Sequence, residues 1–340
     1  MPEDKSITET RKSDHIELAF ESQVVKTDSR FFYEPALSAH PSQSLQPISL
    51  LGKKLGAPIW VSSMTGGTGQ AGPINRNLAH ACHEFGLGMG LGSCRIILND
   101  QTHFADFDLR DMIGNNLPFY ANLGIAQIEQ LFDQNQFNKA IDLVERLRAD
   151  GLIIHINPLQ EWLQPEGDRF VHPPITTIKR VLDKVSFPVI VKEVGQGMGF
   201  HSLKELFKLP LQAVDFGAHG GTNFSMLELL RSTPEFRELY EPLAHIGHNA
   251  GEMVMFVNEV LDDLSGSALC NEVIISGGIR NFLDGYYYTQ KIKTKAIYGQ
   301  AATLLKYAQG DYENLRDYLR SQIKGLELAH AYLRVKEHHD

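Results

Sequence analysis

The sequence predicts an α/β protein built on one (β/α)₈ barrel, a TIM barrel, with an N-terminal arm and a C-terminal helical extension. The chain has 340 residues, which suits a barrel of roughly 250 residues with extensions at its ends. Short apolar or β-branched runs alternate with amphipathic stretches, the pattern of βαβ units around a parallel sheet. Polar, glycine-rich segments follow these runs, as expected where active-site loops leave a barrel.

The predicted strands are eight in number, which favours closure into a barrel over an open sheet. Segment 136–149 carries apolar residues at helical spacing, typical of a helix that covers a sheet. Segments 73–85, 252–264, 301–307 and 312–335 are also predicted helices. The strand segments are 59–63, 87–91, 119–122, 152–156, 189–192, 213–216, 273–276 and 296–299.

The chain is predicted to be one domain in three parts. Residues 1–57 form an N-terminal arm and pre-barrel segment, 58–310 the barrel, and 311–340 a helical extension of the same domain. The arm mixes charged residues with Pro and Ser, so we expect parts of it to order only when a ligand or a neighbouring subunit is present.

Composition and charge exclude several classes of function. A formal net charge of −9 argues against a nucleic-acid partner, because phosphate-backbone binding needs an extended basic surface. The first residues lack a signal-peptide pattern and no apolar run reaches bilayer length, so we expect a cytoplasmic protein with no membrane partner. Cys82, Cys94 and Cys270 have neither disulfide nor zinc-ligand spacing and are expected to be buried thiols.

Two glycine-containing turns predict a phosphorylated cofactor. Gly277 and Gly278 follow the seventh predicted strand, and Gly299 and Gln300 end the eighth, where barrels commonly hold a phosphate with backbone N–H groups. Either turn alone could serve only to reverse the chain. Their joint occurrence at these two strands favours the phosphate site.

Lys192 ends an otherwise apolar strand, so its ammonium group is expected at the barrel mouth. There it could stabilise negative charge on an electron-rich ring system such as a reduced flavin. An ion pair with a neighbouring carboxylate is the alternative. Thr65, Ser93, Asn122 and Thr222 supply short hydrogen-bonding groups for such a ring, although each could equally cap a helix or a turn.

Several motifs together resemble the type 2 isopentenyl-diphosphate isomerase family, over residues 11 to about 302. The combination of an Arg-Lys arm with His-x-Asn-x-x-Gln-Glu is more specific than any single glycine motif. The motifs are Arg11-Lys-Ser-Asp-His-Ile16, Ser63-Met-Thr-Gly-Gly67, Gly92-Ser-Cys-Arg95, Asn122-Leu-Gly124, His155-Ile-Asn157, Gln160-Glu161, Lys192-Glu-Val-Gly195, Gly220-Gly-Thr222 and Ser276-Gly-Gly-Ile-Arg280.

The resemblance implies an activity and its cofactors. In the family, isopentenyl diphosphate is converted to dimethylallyl diphosphate in isoprenoid biosynthesis by a 1,3-allylic proton shift with no net redox change. The resemblance implies FMN, which must be reduced and is thought to act as an acid/base, with Mg²⁺ on the diphosphate and NADPH as a reductant. It also implies a homo-oligomer, a tetramer or a higher closed assembly.

The resemblance also assigns roles to individual residues. It implies that Arg11, Lys12, Ser93, Arg95 and Gln160 bind the substrate, and that Glu161 is the magnesium ligand, for which a solvated loop acid is the alternative. Implied contacts with FMN are made by Ser63, Met64, Thr65, Ser93, Asn122, Lys192, Thr222, Gly277, Gly278, Gly299 and Gln300.

His155 and Gln160 are the candidate catalytic residues. A side-chain amide is a poor acid or base, so we expect Gln160 to position the substrate while the reduced flavin donates the proton. His155 is as well suited to hydrogen-bond the flavin or face a carbocation-like centre as to transfer a proton.

Some positions depart from the family pattern. Cys94 replaces a common glutamine, which puts a substrate contact there in doubt. Asn281 and Phe282 replace small residues and could reshape the phosphate pocket. Segment 245–249 has no assigned role.

Three other functions compete with the isomerase. An FMN oxidoreductase of the hydroxy-acid or dihydroorotate-oxidising kind would share the barrel, the strand-end lysine and the glycine loops, but the chain lacks a recognisable His and Arg pair for a hydroxy acid. A non-enzymatic flavin- or phosphate-binding module would not need Arg11, Lys12, Gln160 and Glu161. An aldolase-type barrel with Lys192 as a Schiff base would not explain the FMN-like positions.

Overall fold

The computed structural model describes residues 3–336, over which the chain forms twelve β-strands and fourteen α-helices. The strands are β1 (Phe31–Tyr33), β2 (Ile48–Leu50), β3 (Lys53–Leu55), β4 (Ile59–Ser62), β5 (Gly88–Gly90), β6 (Phe119–Gly124), β7 (Gly151–Ile156), β8 (Val189–Glu193), β9 (Ala213–Asp215), β10 (Glu272–Ser276), β11 (Lys295–Gln300) and β12 (Leu333–Val335).

The helices cover the outside of the sheet and form the two extensions of the chain. They are α1 (Glu3–Glu17), α2 (Ala71–Phe85), α3 (Arg110–Ile113), α4 (Ile125–Asp133), α5 (Asn138–Arg146), α6 (Pro158–Leu163), α7 (Pro174–Leu182), α8 (Phe200–Phe207), α9 (Phe224–Arg231), α10 (Pro234–Ala244), α11 (Ala250–Leu264), α12 (Phe282–Lys291), α13 (Ala302–Ala308) and α14 (Tyr312–Tyr332).

Strands β4 to β11 form a closed, all-parallel barrel, which confirms the predicted fold. Each strand pairs with the next along the chain, and β11 returns to β4 to complete the ring. Each predicted strand segment overlaps one of these eight strands, with ends that differ by a few residues. The sheet therefore has no free edge, and all eight strands point their carboxyl ends at one rim.

The barrel interior contains the fully buried Trp60. Its indole lies against β5, where a Cβ at Gly88 would fall 2.6 Å from the ring and one at Gly90 would fall 3.0 Å from it. These glycines therefore give space to a large aromatic side chain, and β5 is a strand despite its low β-propensity. Tyr120 on β6 completes the contact with an edge-on ring whose centroid is 6.1 Å from that of Trp60.

The N-terminal arm meets the C-terminal end of the described chain outside the barrel. β1 pairs antiparallel with β12, matching Phe31 with Val335. The prediction of a helix over 312–335 is therefore wrong at its end, because α14 stops at Tyr332 and the last three residues pair with the arm. The prediction for 311–340 also includes residues 337–340, which lie outside the described residues.

Nine of the fourteen helices lie outside the predicted helix segments, among them α1 and α4. Helix α1 occupies part of the arm that was expected to order only with a partner, and α4 precedes the helix predicted over 136–149. Helix α2 begins at Ala71, slightly before the predicted start at residue 73. Within residues 3–336, no helix has both the length and the apolar character needed to cross a bilayer.

Gly151, at the start of β7, offers a test of how tightly the barrel is packed. A Cβ there would fall 2.1 Å from the Pro188 carbonyl oxygen, a backbone atom that the neighbouring strand holds in place. We expect Gly151→Ala to lower the free energy of unfolding by about 2 kcal/mol or more. Gly310→Ala is the matched control, because its Cβ would meet only the Asn314 side chain at 3.6 Å. Equal denaturant midpoints for the two variants would contradict this account of the packing.

Candidate active site

A cavity of about 340 Å³ lies at the carboxyl ends of the barrel strands. Every barrel strand, or the loop after it, contributes to its wall, so its shape follows directly from barrel closure. Most of the predicted site residues line it, namely Ser63, Met64, Ser93, Asn122, His155, Gln160, Lys192, Thr222, Gly277, Gly278, Gly299 and Gln300.

The other predicted residues lie elsewhere. The Thr65 hydroxyl donates to Asn75 Oδ1 (3.1 Å), behind the wall of the cavity. Arg95 lines a neighbouring cleft, where its guanidinium pairs with Asp168 at 2.7 Å. Glu161 is buried beside Gln160 but is not part of the cavity wall. Arg11 and Lys12 are exposed on α1.

His155 is held in one orientation and one tautomer. Asn122 donates through Nδ2 to the Leu91 carbonyl (2.8 Å), which turns its Oδ1 towards His155 Nδ1 at 2.9 Å. Because Oδ1 can only accept, Nδ1 carries the proton and Nε2 keeps its lone pair. Burial, reinforced by the nearby Lys192 cation, lowers the pKa of His155 to about 3. The ring is therefore a neutral hydrogen-bonding group at physiological pH.

Lys192 and Glu193 end β8 with different roles. Lys192 Nζ lies at the cavity and donates to the backbone carbonyl of Glu193 (2.9 Å), not to a carboxylate in a contact ion pair. The Glu193 carboxylate points the other way and accepts from the backbone N–H groups of Gly195, Gln196 and Gly197. That carboxylate thus shapes the loop after β8 and leaves the ammonium available to a ligand.

Gln160 and Glu161 begin a polar network just outside the cavity. Asn157 Nδ2 donates to Gln160 Oε1 (3.0 Å) and to Glu161 Oε1 (3.1 Å), while the Asp168 N–H donates to Glu161 Oε2 (2.8 Å). Gln160 Nε2 in turn donates to the buried Glu228 (3.3 Å). Glu161 is only 6% exposed, which excludes the solvated loop acid.

The same network has oxygens that suit a hard cation. Asn157 Oδ1 is buried with no hydrogen-bond partner among the described residues, and it belongs to the side chain that contacts Glu161. Within residues 3–336 no group of three or more His, Cys, Asp or Glu residues could hold a metal alone. A single carboxylate therefore suits Mg²⁺ only where phosphate oxygens and waters complete the octahedron.

The glycine-rich loops after β9 and β10 approach each other closely. Gly277 has φ +88°, and a Cβ there would fall 2.0 Å from the Ala218 carbonyl oxygen. A Cβ at Gly221 would fall 3.1 Å from the Gly278 nitrogen. Backbone, not side chains, therefore forms this wall, which suits a phosphate. Ser62 Oγ, buried at the cavity without a partner among the described residues, is a further hydrogen-bonding group for a polar ligand.

The departures from the family pattern have structural explanations. Cys94 is buried, and its N–H donates to the Asn122 carbonyl (2.8 Å). Asn281 caps α12, accepting from the N–H groups of Leu283 and Asp284. Phe282 packs beside α14, where a Cβ at Gly325 would overlap its ring. All three cysteines are buried and free, as predicted.

Segment 245–249 is likewise structural. Asn249 forms a capping box with Glu252 at the start of α11. The backbone of His248 joins two cavity loops, since its N–H donates to the Gln196 carbonyl and its carbonyl accepts from the His219 N–H, both at 2.8 Å.

Sequence reasoning missed several residues that shape the site. Ser62 is an inward-facing strand residue that the strand-end rule could have identified, and Ser276 stood in a strand-end motif without an assigned role. Asn75, Asp168 and Glu228 come from helices or loops, and their pairing has no local sequence signal; Glu228 lies 68 residues from its partner Gln160.

No family model matches the chain, whereas curated relatives match over nearly its full length. The chain is 33% identical to an isopentenyl-diphosphate delta-isomerase of Rickettsia felis, covering 96% of this chain and 93% of the relative. It is 34% identical to one of Rickettsia akari and 33% identical to one of Rickettsia prowazekii, each covering 91% of this chain and 88% of the relative.

Solved structures with a similar fold are much more distant in sequence. A mandelate oxidase variant with a monooxide FMN adduct has a TM-score of 0.55 at 14% identity, covering 91% of this chain and 88% of that one. A flavocytochrome b2 variant with benzoylformate has a TM-score of 0.60 at 12% identity, covering 88% and 71%. At these low sequence identities, the similarity shows that the fold is shared.

The lowered pKa of His155 predicts a pH effect on stability. In the unfolded chain a histidine titrates near pH 6.5, so between about pH 6.5 and pH 3 the unfolded state binds a proton that the folded state does not. Stability is therefore lost as the pH falls through this range. We expect His155→Gln to lose less free energy of unfolding than the wild type between about pH 7 and pH 5, measured by urea denaturation of flavin-free protein. Parallel pH profiles would show that His155 is not held neutral.

Proposed function

Because the chain belongs to the isopentenyl-diphosphate delta-isomerase family, we propose that it interconverts isopentenyl and dimethylallyl diphosphate by a 1,3-allylic proton shift, with FMN and Mg²⁺ at the barrel mouth. The observation that carries the proposal is the position of Gln160 in the cavity wall with the buried Glu161 directly behind it. This pair suits a magnesium diphosphate beside the cavity. A binding module would not require it.

The cavity residues would divide the tasks of holding FMN. The glycine loops after β9, β10 and β11 would receive its phosphate, and Asn122 and Ser62 would hydrogen-bond its polar groups. Reduced FMN, when bound, would supply the acid/base chemistry of the proton shift. Lys192 would stabilise negative charge at the mouth, and the cation there would disfavour protonation of His155.

The substrate side follows from the same geometry. Gln160 carries no titratable group, and its hydrogen bonds to Asn157 and Glu228 fix its amide, so it would orient the substrate. Glu161 and the unpartnered Asn157 oxygen would face Mg²⁺. Arg11 and Lys12 lie on an exposed helix of the arm, which would close over the mouth and keep water from a cationic intermediate.

An activity assay tests the proposal directly. The purified protein should be yellow and, once reduced anaerobically with NADPH or dithionite in the presence of Mg²⁺, should convert isopentenyl diphosphate to dimethylallyl diphosphate. Binding of flavin without isomerisation would favour the alternative, an FMN oxidoreductase acting on a hydroxy acid or dihydroorotate. A colourless protein with no affinity for FMN would exclude both functions.

Glu161→Gln separates the metal site from the flavin site. The substitution keeps the shape of the side chain but removes the charge that would hold Mg²⁺. We expect turnover to fall by about two orders of magnitude, and the Mg²⁺ concentration for half-maximal rate to rise, while FMN stays bound. The measurement is a Mg²⁺ titration of the initial rate, with the flavin absorbance of each variant.

Glu166→Gln is the matched control for this substitution. Glu166 is close in sequence, but its side chain is 64% exposed and pairs with Arg231 at the surface. It should keep the wild-type dependence on Mg²⁺. Wild-type kinetics in Glu161→Gln, or the same defect in both variants, would rule out the metal role.

A further inference from the structure

Three ionisable side chains lie abreast on adjacent barrel strands. In the parallel register His155 on β7 is matched with Lys192 on β8, and Lys192 is matched with Asp215 on β9. Matched residues of neighbouring strands point to the same face of a sheet, and His155 and Lys192 both line the cavity. Asp215 therefore points into the barrel on the side of Lys192 opposite His155.

Asp215 is an unusually buried acid. It has no exposed surface, and among residues 3–336 the one side chain that hydrogen-bonds to it is Ser276, whose hydroxyl donates to Oδ1. The hydroxyl in turn accepts from the Gly217 N–H at 2.9 Å. Asp215 Oδ2 has no partner among the described residues. A buried carboxylate is costly unless a positive charge offsets it.

Lys192 is the cation that faces Asp215. The other titratable groups near the ammonium are His155, which is neutral, and Glu193, whose carboxylate is held by three backbone N–H groups. Burial raises the pKa of Asp215, and the positive charge of Lys192 opposes that rise. The two side chains are therefore coupled electrostatically without forming a contact ion pair.

We propose that Asp215 is a positioning residue that acts through Lys192, attracting its ammonium group and keeping it at the cavity. Asp215 would reach no ligand itself, because the strand end and Ser276 separate it from the mouth. This inference extends the proposed function. It rests on that function in one respect, namely the role of Lys192 towards a bound flavin. The charge coupling between the two side chains exists without any ligand.

A double-mutant cycle tests the coupling in the full-length chain, as purified and again after removal of flavin. Lys192→Met leaves Asp215 buried without its cation, so it should be destabilised, and increasingly so as the pH rises and the carboxyl group must ionise. Adding Asp215→Asn removes that buried charge. We expect the double variant to have a higher denaturant midpoint than Lys192→Met alone.

Additive effects of the two substitutions would overturn the proposal. If Asp215→Asn alone fails to fold, rescue by Lys192→Met would show the same coupling, and failure to rescue would contradict it. Because the cycle needs no turnover, its result stands apart from the isomerase assay.

The pH dependence of stability separates a charge coupling from a packing role. Ser276→Ala is the matched control, since it removes the hydrogen bond to Asp215 but keeps the carboxyl group. We expect Lys192→Met to keep its pH-dependent loss of stability when combined with Ser276→Ala and to lose that dependence when combined with Asp215→Asn. The same pH dependence in both double variants would show that Asp215 only packs the barrel.

Discussion

The hydrogen-bonded register that closes the parallel barrel determines where every other feature of the site can lie. Closure brings the carboxyl ends of eight strands to one rim, and the pleat turns alternate residues of each strand inwards. Trp60 fills the interior below the cavity because Gly88 and Gly90 leave space for its ring. The inward-facing polar residues further along the strands, such as Asn122, His155 and Lys192, then line the cavity.

At the mouth of the barrel, burial affects the charges of the ionisable side chains as much as direct contacts do. Lys192 donates to a backbone carbonyl, so its positive charge is not cancelled by a touching carboxylate. Burial lowers the pKa of His155 and the Lys192 charge adds to this effect, whereas burial raises the pKa of Asp215 and the same charge opposes that rise. The row therefore carries one half-buried cation, one neutral ring and one buried acid, so a positive charge lies at the barrel mouth although the whole chain is acidic.

The sequence predicted the barrel and the strand-end residues for the same reason. Strand periodicity and the positions of residues at the strand ends can be read from short stretches of sequence. Barrel closure then brings these strand-end residues together in space. The arrangement around Gln160 could not be predicted this way, because Glu228 lies 68 residues away and reaches it only through the packing of α9 against α6. The strand pairing of Leu333–Val335 was missed likewise, since its partner is in the N-terminal arm.

The loop after α6 joins Arg95 and Glu161, two of the predicted ligand groups that lie outside the cavity wall. The backbone N–H of Asp168 donates to Glu161, and its carboxylate pairs with Arg95 and accepts from Gln127 and Gln130, each at 2.9 Å. An anion that binds Arg95 must compete with this carboxylate, so it must bring enough negative charge to replace it. A diphosphate carries more negative charge than the Asp168 carboxylate and so meets that requirement. A ligand with a single carboxylate carries no more charge than Asp168 itself. Since the Asp168 N–H also donates to Glu161, under the proposed function an exchange at Arg95 would be transmitted to the carboxylate proposed to hold Mg²⁺.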